Sequence, residues 1–199
     1  MDPLERLIAD NPSFHHWPDG SPANWSASAD CLRFIRRCLS PGIHTLETGT
    51  GQSTVVFALA GTRHVCITPQ PEQTARVRDY CSRRGINETI TFIHESSDKA
   101  LSLSESIPDR LDFVFIDGAH RFPFPCLDWH YTERRLETGG IIGLDDYIIP
   151  SVRILHDFLC RENEWELIRI IGRTSFFRKL READTRLDCQ GQRINQVSY

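Results

Sequence analysis

Along this chain, short unbroken apolar runs alternate with longer segments whose apolar residues recur every third or fourth position. The first pattern marks strands buried on both faces, and the second marks amphipathic helices. The segments 3–9, 28–39, 55–60, 72–84, 99–103, 127–136 and 151–161 are predicted helices. The runs 43–46, 64–67, 89–94, 113–116 and 141–144 are predicted strands, and 165–171 with 174–180, parted by Gly172-Arg173, a predicted antiparallel hairpin. Leu32, Ile35, Cys38 and Leu39 form one stripe on the 28–39 helix, which Pro41-Gly42 stops. Ile154, Leu155, Phe158 and Leu159 are the predicted apolar side of 151–161. Residues 122–125 read as a proline-broken loop, and Gly139-Gly140 as the stop of the 127–136 helix. Alternating strands and helices with an antiparallel close predict an α/β sheet with helices on both faces. No internal repeat or linker divides the chain, so one domain is expected: an arm over 1–27, a core over 28–180 and a polar tail over 181–199.

The most informative stretch is 111–147, because two of its apolar runs end abruptly in carboxylates. Phe113-Val-Phe-Ile116 stops at Asp117, with Gly118 allowing a turn and His120 just beyond. Ile141-Ile-Gly-Leu144 stops at Asp145-Asp146. If the two strands are parallel neighbours, the three aspartates meet at one carboxyl edge, where ligands bind in open α/β sheets. Crowded like charges raise one another's pKa or need a cation between them, and all-oxygen ligation suits Mg²⁺. The same residues would also serve as ordinary turn caps at strand ends.

A second candidate lies after the first strand, in Glu47-Thr-Gly-Thr-Gly-Gln-Ser-Thr54. Glycines there let backbone approach a ligand, and the following helix offers free N–H groups. Ser53 and Thr54 could bind a carboxylate or phosphate. A dinucleotide fingerprint would place a third glycine where Thr54 stands. Residues 11–25 are rich in Pro, Asn and Gly, and carry His15, His16, Trp17 and Trp25. They read as a surface arm packing its tryptophans, with a lid over a pocket as the alternative.

Composition narrows the class. The 199 residues are 40% hydrophobic and 25% charged, with a formal charge of -4. No long basic block favours nucleic acid, and no apolar run approaches a membrane span. The start, Met-Asp-Pro-Leu-Glu-Arg, lacks the features of a signal peptide. Seven cysteines stand at 31, 38, 66, 81, 126, 160 and 189, without a C-x-x-C pair, as expected of reduced, packed thiols in a cytoplasmic protein.

These motifs together resemble class I S-adenosylmethionine-dependent methyltransferases. Leu46-Glu-Thr-Gly-Thr-Gly-Gln-Ser-Thr resembles the family's first glycine-rich motif, and Phe92-Ile-His-Glu-Ser-Ser-Asp the segment at the adenine. Asp112-Phe-Val-Phe-Ile-Asp-Gly-Ala-His and Gly140-Ile-Ile-Gly-Leu-Asp-Asp resemble the motifs of the fourth and fifth strands. Within the family the aspartates look most like the metal-dependent small-molecule O-methyltransferases, of the catechol and macrolide-sugar types. The resemblance implies a Rossmann-like seven-stranded sheet, mostly parallel with the last strand antiparallel. It implies that Glu47, Gly49 and Gly51 shape the methionine pocket, that Ser53 binds the methionine carboxylate, and that Ser96 and Ser97 lie by the adenine. Asp117, Asp145 and Asp146 would hold Mg²⁺ or another divalent cation, and His120 would be the general base. The partner implied is a small-molecule hydroxyl acceptor, a diol, catechol or sugar. The exposed arm and hairpin would suit a homodimer.

One position departs from the family pattern. The second strand usually ends in Asp or Glu, which holds both ribose hydroxyls; here Thr68 stands there, followed by Pro69-Gln70-Pro71. A threonine hydroxyl lacks the charge assistance of a carboxylate, and Gln70 or Glu72 is the candidate substitute. The departure leaves open a non-catalytic binding module on the same scaffold. A hydroxylase-like protein of the cephalosporin type ranks lower, because iron usually wants more histidine than His120 alone.

Overall fold

The computed structural model describes residues 1–87, 89–183 and 192–196. Cys189 and most of the predicted tail lie outside the described residues. The six cysteines within them are all free thiols. Helices and strands alternate through α1 (Pro3–Asp10), β1 (His15–His16), β2 (Pro22–Ala23), α2 (Ala29–Cys38), β3 (His44–Thr48), α3 (Gln52–Ala60), β4 (Arg63–Ile67), α4 (Pro71–Arg83) and β5 (Ile90–Ile93). There follow α5 (Ser97–Leu103), β6 (Leu111–Ile116), α6 (Phe124–Glu133), β7 (Leu136–Leu144), α7 (Pro150–Leu159), β8 (Trp165–Ile171) and β9 (Thr174–Lys179).

Among the described residues the main sheet has seven strands in the order β5-β4-β3-β6-β7-β9-β8. Strands β3 to β7 pair in parallel, and β9 runs antiparallel to both β7 and β8. This is the expected Rossmann-like arrangement. From β3 the chain winds outward through β4 and β5, then returns to β6 on β3's other side. The strand order therefore reverses between β3 and β6, and a crevice opens outside their carboxyl ends.

Alternation along the strands divides the core between the two faces of the sheet. Phe113, Phe115 and Phe176 pack with residues of α1 to α4. Val114, Ile116 and Phe177 turn the other way, toward residues of α5 to α7. Helix α3 is buried almost all round, from Gln52 to Ala58, which explains why its sequence shows no polar stripe. Among the described residues no helix is long and apolar enough to cross a membrane.

Four sequence expectations are corrected. Helix α6 begins at Phe124, inside the predicted proline-broken loop; Pro125 occupies its first turn, where a missing N–H costs little. It ends at Glu133, and the predicted stop, Gly139-Gly140, lies within β7 instead. Leu136 pairs with Leu111 in the sheet, and the register shifts between Leu111 and Phe113. On α7 Ile154 is exposed, while Val152 and His156 are buried beside Leu155 and Leu159. Finally, the arm, whose Pro, Asn and Gly content predicts no more than short turns, forms the small hairpin β1–β2.

Candidate active site

The end of β3 crosses close over its neighbour. Gly49 has φ +93°, and a Cβ added to it would lie 2.2 Å from the Asp117 carbonyl oxygen, so only glycine fits this turn. Backbone bonds from Gly49 to Ile67 (2.9 Å) and from Asp117 to Thr48 (3.0 Å) fix the turn against β4 and β6. Beneath it, the fully buried Glu47 accepts bonds from the Ser53 hydroxyl and, at 2.6 Å, from the Thr54 hydroxyl. His64 Nε2 lies 3.5 Å from the same carboxylate.

Outside this turn lies a cavity of about 1000 Å³. One wall is Gly49 and Thr50; Thr68, Pro69 and Gln70 form a second, and Ser96 and Ser97 a third. Asp117, His120, Asp145 and Asp146 close the far end with Arg173 of the β8–β9 turn. The arm roofs the cavity with His15, Asn24 and Trp25, so the lid alternative describes its position better than a surface arm does.

The predicted site residues thus divide into two groups. Gly49, Thr68, Ser96, Ser97, Asp117, His120, Asp145 and Asp146 line the cavity, whereas Glu47, Gly51 and Ser53 do not. The three support the turn from below and from its edge. Gln70 lines the wall and donates its backbone N–H to Thr68 Oγ1 at 3.3 Å; Glu72 points to solvent.

Electrostatics at the acidic end are specific. Burial, reinforced by the Asp145 and Glu47 charges, pushes the Asp117 carboxyl well above the usual carboxylate range. Burial also raises Asp145, against a hydrogen bond from the Thr174 hydroxyl and one shared with Asp117. The pair is best described with the proton on Asp117 and the bond running to Asp145. Asp146, at φ +51°, turns its carboxylate to Arg173, whose Nε lies 2.7 Å from Oδ1. His120 sits between the acids, with Nε2 3.8 Å from Asp117 Oδ1 and Nδ1 3.7 Å from Asp146 Oδ2.

The expected divalent-cation site is not assembled as placed. Among the described residues no three His, Cys, Asp or Glu side chains form a group fit to hold a metal. Arg173 pairs with Asp146, and the Thr174 hydroxyl takes an oxygen of Asp145. Sequence reasoning had treated Arg173 only as part of a turn. Its nearness to Asp146 follows from the backbone bond of Tyr147 to the Arg173 carbonyl, 3.0 Å, which joins elements far apart in sequence.

A family model described as a methyltransferase domain matches residues 46–147, which run from the glycine turn to just past the acidic cluster. The chain belongs to this methyltransferase family. No curated protein sequence matches it. The methyltransferase fold is also seen in solved structures of low identity. A cofactor-bound Rv0187 from MTB is 17% identical, with a TM-score of 0.67, covering 88% of this chain and 87% of its own. The O-methyltransferase TomG of Streptomyces achromogenes, involved in tomaymycin synthesis and solved with SAM, is 16% identical, with a TM-score of 0.68 and 90% of each chain covered. A provisionally assigned O-methyltransferase from Klebsiella pneumoniae is 18% identical, with a TM-score of 0.67 and 91% of each chain covered.

Proposed function

We propose that this methyltransferase-family protein transfers the methyl group of S-adenosylmethionine to a hydroxyl of a small molecule. One observation carries the reading: a single cavity joins the glycine turn to His120 and its carboxylates. At about 1000 Å³ it lies at the upper end of ordinary ligand sites, with room for a nucleoside and an acceptor together. The SAM in the TomG complex supports the choice of cofactor. The walls fit such a group, since they present neutral hydroxyl and amide donors around a cleft floored by a glycine with no space for a Cβ.

Bound S-adenosylmethionine supplies an electrophilic methyl group. Gly49 and Thr50 would let backbone approach its amino-acid end, Thr68 and Gln70 would hold the ribose, and Ser96 and Ser97 the adenine. His120 takes the proton of the acceptor hydroxyl, and the nearby Asp146 carboxylate opposes the positive charge the ring then gains. Arg173 holds Asp146 in place. Trp25 and Phe124 add aromatic surface to the cavity lining. No step is routed through a metal, because Arg173 and Thr174 already engage Asp146 and Asp145.

Calorimetric titration of S-adenosylmethionine into the protein, with and without Mg²⁺, tests the reading. Isotope-labelled methyl transfer to a panel of diols and catechols would follow. Binding and transfer that persist in a chelator are expected; no binding at millimolar cofactor overturns the proposal. Thr68 favours a second reading, a non-catalytic binding module on the same scaffold. Tight cofactor binding without transfer to any acceptor would support it.

A further inference from the structure

The amino-acid end of S-adenosylmethionine is a zwitterion, and a buried zwitterion needs polar partners. The side chains expected to provide them are already committed. Ser53 and Thr54 both give their hydroxyls to Glu47, and neither lines the cavity. The glycine turn therefore offers backbone groups and, of its side chains, only Thr48 and Thr50 along the cavity.

The arm offers one. His15 lines the cavity, and its Nε2 lies 3.5 Å from where a Cβ on Gly51 would stand. Its Nδ1 is covered by protein, so Nε2 is the ring nitrogen on the side of the glycine turn. The ring is held in place rather than loose. It packs on Trp25 with centroids 5.3 Å apart. The arm just before it is pinned by Arg76 Nε donating to the Phe14 carbonyl (2.8 Å) and by Gln52 Nε2 donating to Asn11 Oδ1 (2.9 Å).

We propose that His15 binds the amino-acid end of S-adenosylmethionine and completes the methionine pocket from above; this rests on the cofactor reading of the preceding section. Burial, the Arg76 charge and His16 favour the neutral ring, against the Glu47 charge and a hydrogen bond to the Thr50 backbone. A neutral imidazole suits a zwitterion in either tautomer. A bare nitrogen accepts from the ammonium, and an N–H donates to the carboxylate.

The test compares two ligands in calorimetry: S-adenosylmethionine, and 5′-methylthioadenosine, which keeps the nucleoside and lacks the amino-acid end. The proteins are the full chain, His15→Ala and His15→Gln. His15→Ala should weaken S-adenosylmethionine by about tenfold or more, the scale of one hydrogen bond to a charged group. Methylthioadenosine affinity should stay within about twofold, and His15→Gln, with an amide near the ring position, should recover part of the loss. Unchanged S-adenosylmethionine affinity in His15→Ala overturns the proposal. So does an equal loss for both ligands, which would mean that the arm had merely shifted. If the unaltered protein binds neither ligand, the cofactor reading itself fails and this inference falls with it.

Discussion

Asp128 shows how much one side chain can hide. It lies on α6 fully buried, and neither carboxylate oxygen receives a well-formed hydrogen bond. Burial pushes its pKa up to about 6, although the Ser97 and Thr48 hydroxyls beside it work in the opposite direction. The folded protein therefore holds this proton more tightly than the unfolded chain. Stability falls as pH rises through the interval from the unfolded value, 3.8, to about 6, and stays reduced above it. The cost at neutral pH is about 2–3 kcal/mol. Asp128→Asn should melt higher than the parent at pH 8 and lose the advantage near pH 4, as thermal denaturation across that range would show. Parallel curves for the two proteins would sink this account. Within the cavity, His120→Ala should lower turnover by about a hundredfold or more, the usual weight of a general base, while cofactor affinity measured by calorimetry stays near the parent's. An equal loss of both would mean that the ring is a binding group. The acidic cluster and His120 were legible because each ends or follows an apolar run. Their charge balance was not, since Arg173 and Thr174 reach Asp146 and Asp145 only once the β8–β9 turn is folded against the end of β7.

Strand β7 runs beside the site, and its glycines matter for packing. A Cβ on Gly143 would lie 2.7 Å from a Phe115 ring carbon and 2.8 Å from one of Phe176. Both rings are fully buried and nearly parallel to each other, 14° apart. Neither can withdraw without disturbing the helices behind it. Gly143→Ala should therefore cost about 1–3 kcal/mol and lower the melting temperature by roughly 2–12 °C. A melting temperature equal to the parent's would show that the rings move aside freely. The element scale also explains which parts of the fold the sequence made readable. Strands β3, β4 and β6 are covered on both faces, so burial alone forces continuous apolar runs. In the first half of β7, Leu136-Glu-Thr-Gly-Gly, Thr138 and Gly139 are exposed and Glu137 is half-buried, and the segment carries no such run. The start of α6 was masked by prolines that a first helical turn tolerates. The arm hairpin has two residues per strand, too few for any periodicity.

At the scale of the molecule, the arm is part of the core that it closes. Leu7 and Phe14 are buried in the same cluster as the α2 to α4 residues. Glu5 pairs with Arg33 at 2.7 Å, and Tyr80 donates its hydroxyl to Asp10 at 2.7 Å. Arg84 pairs with the same Asp10 carboxylate at 2.6 Å. Through these contacts the arm is carried by α2 and α4, while its far end, His15 to Trp25, covers the cavity above the glycine turn. Ligand binding and the integrity of that half of the core are thus coupled through one segment. Truncation to residue 26 removes Leu7 and Phe14, each worth about 1.5–3 kcal/mol of burial. It also exposes the apolar faces of α2 and α4 that they cover. The melting temperature should fall by on the order of 10 °C, and S-adenosylmethionine should restore less of it than in the full chain, because the roof is gone. Differential scanning calorimetry of both proteins, with and without cofactor, separates the two effects. If the shortened protein melts with the parent, the arm is an ornament on a self-sufficient core. If it melts lower but gains as much from the cofactor as the parent does, the arm supports the fold and takes no part in the site.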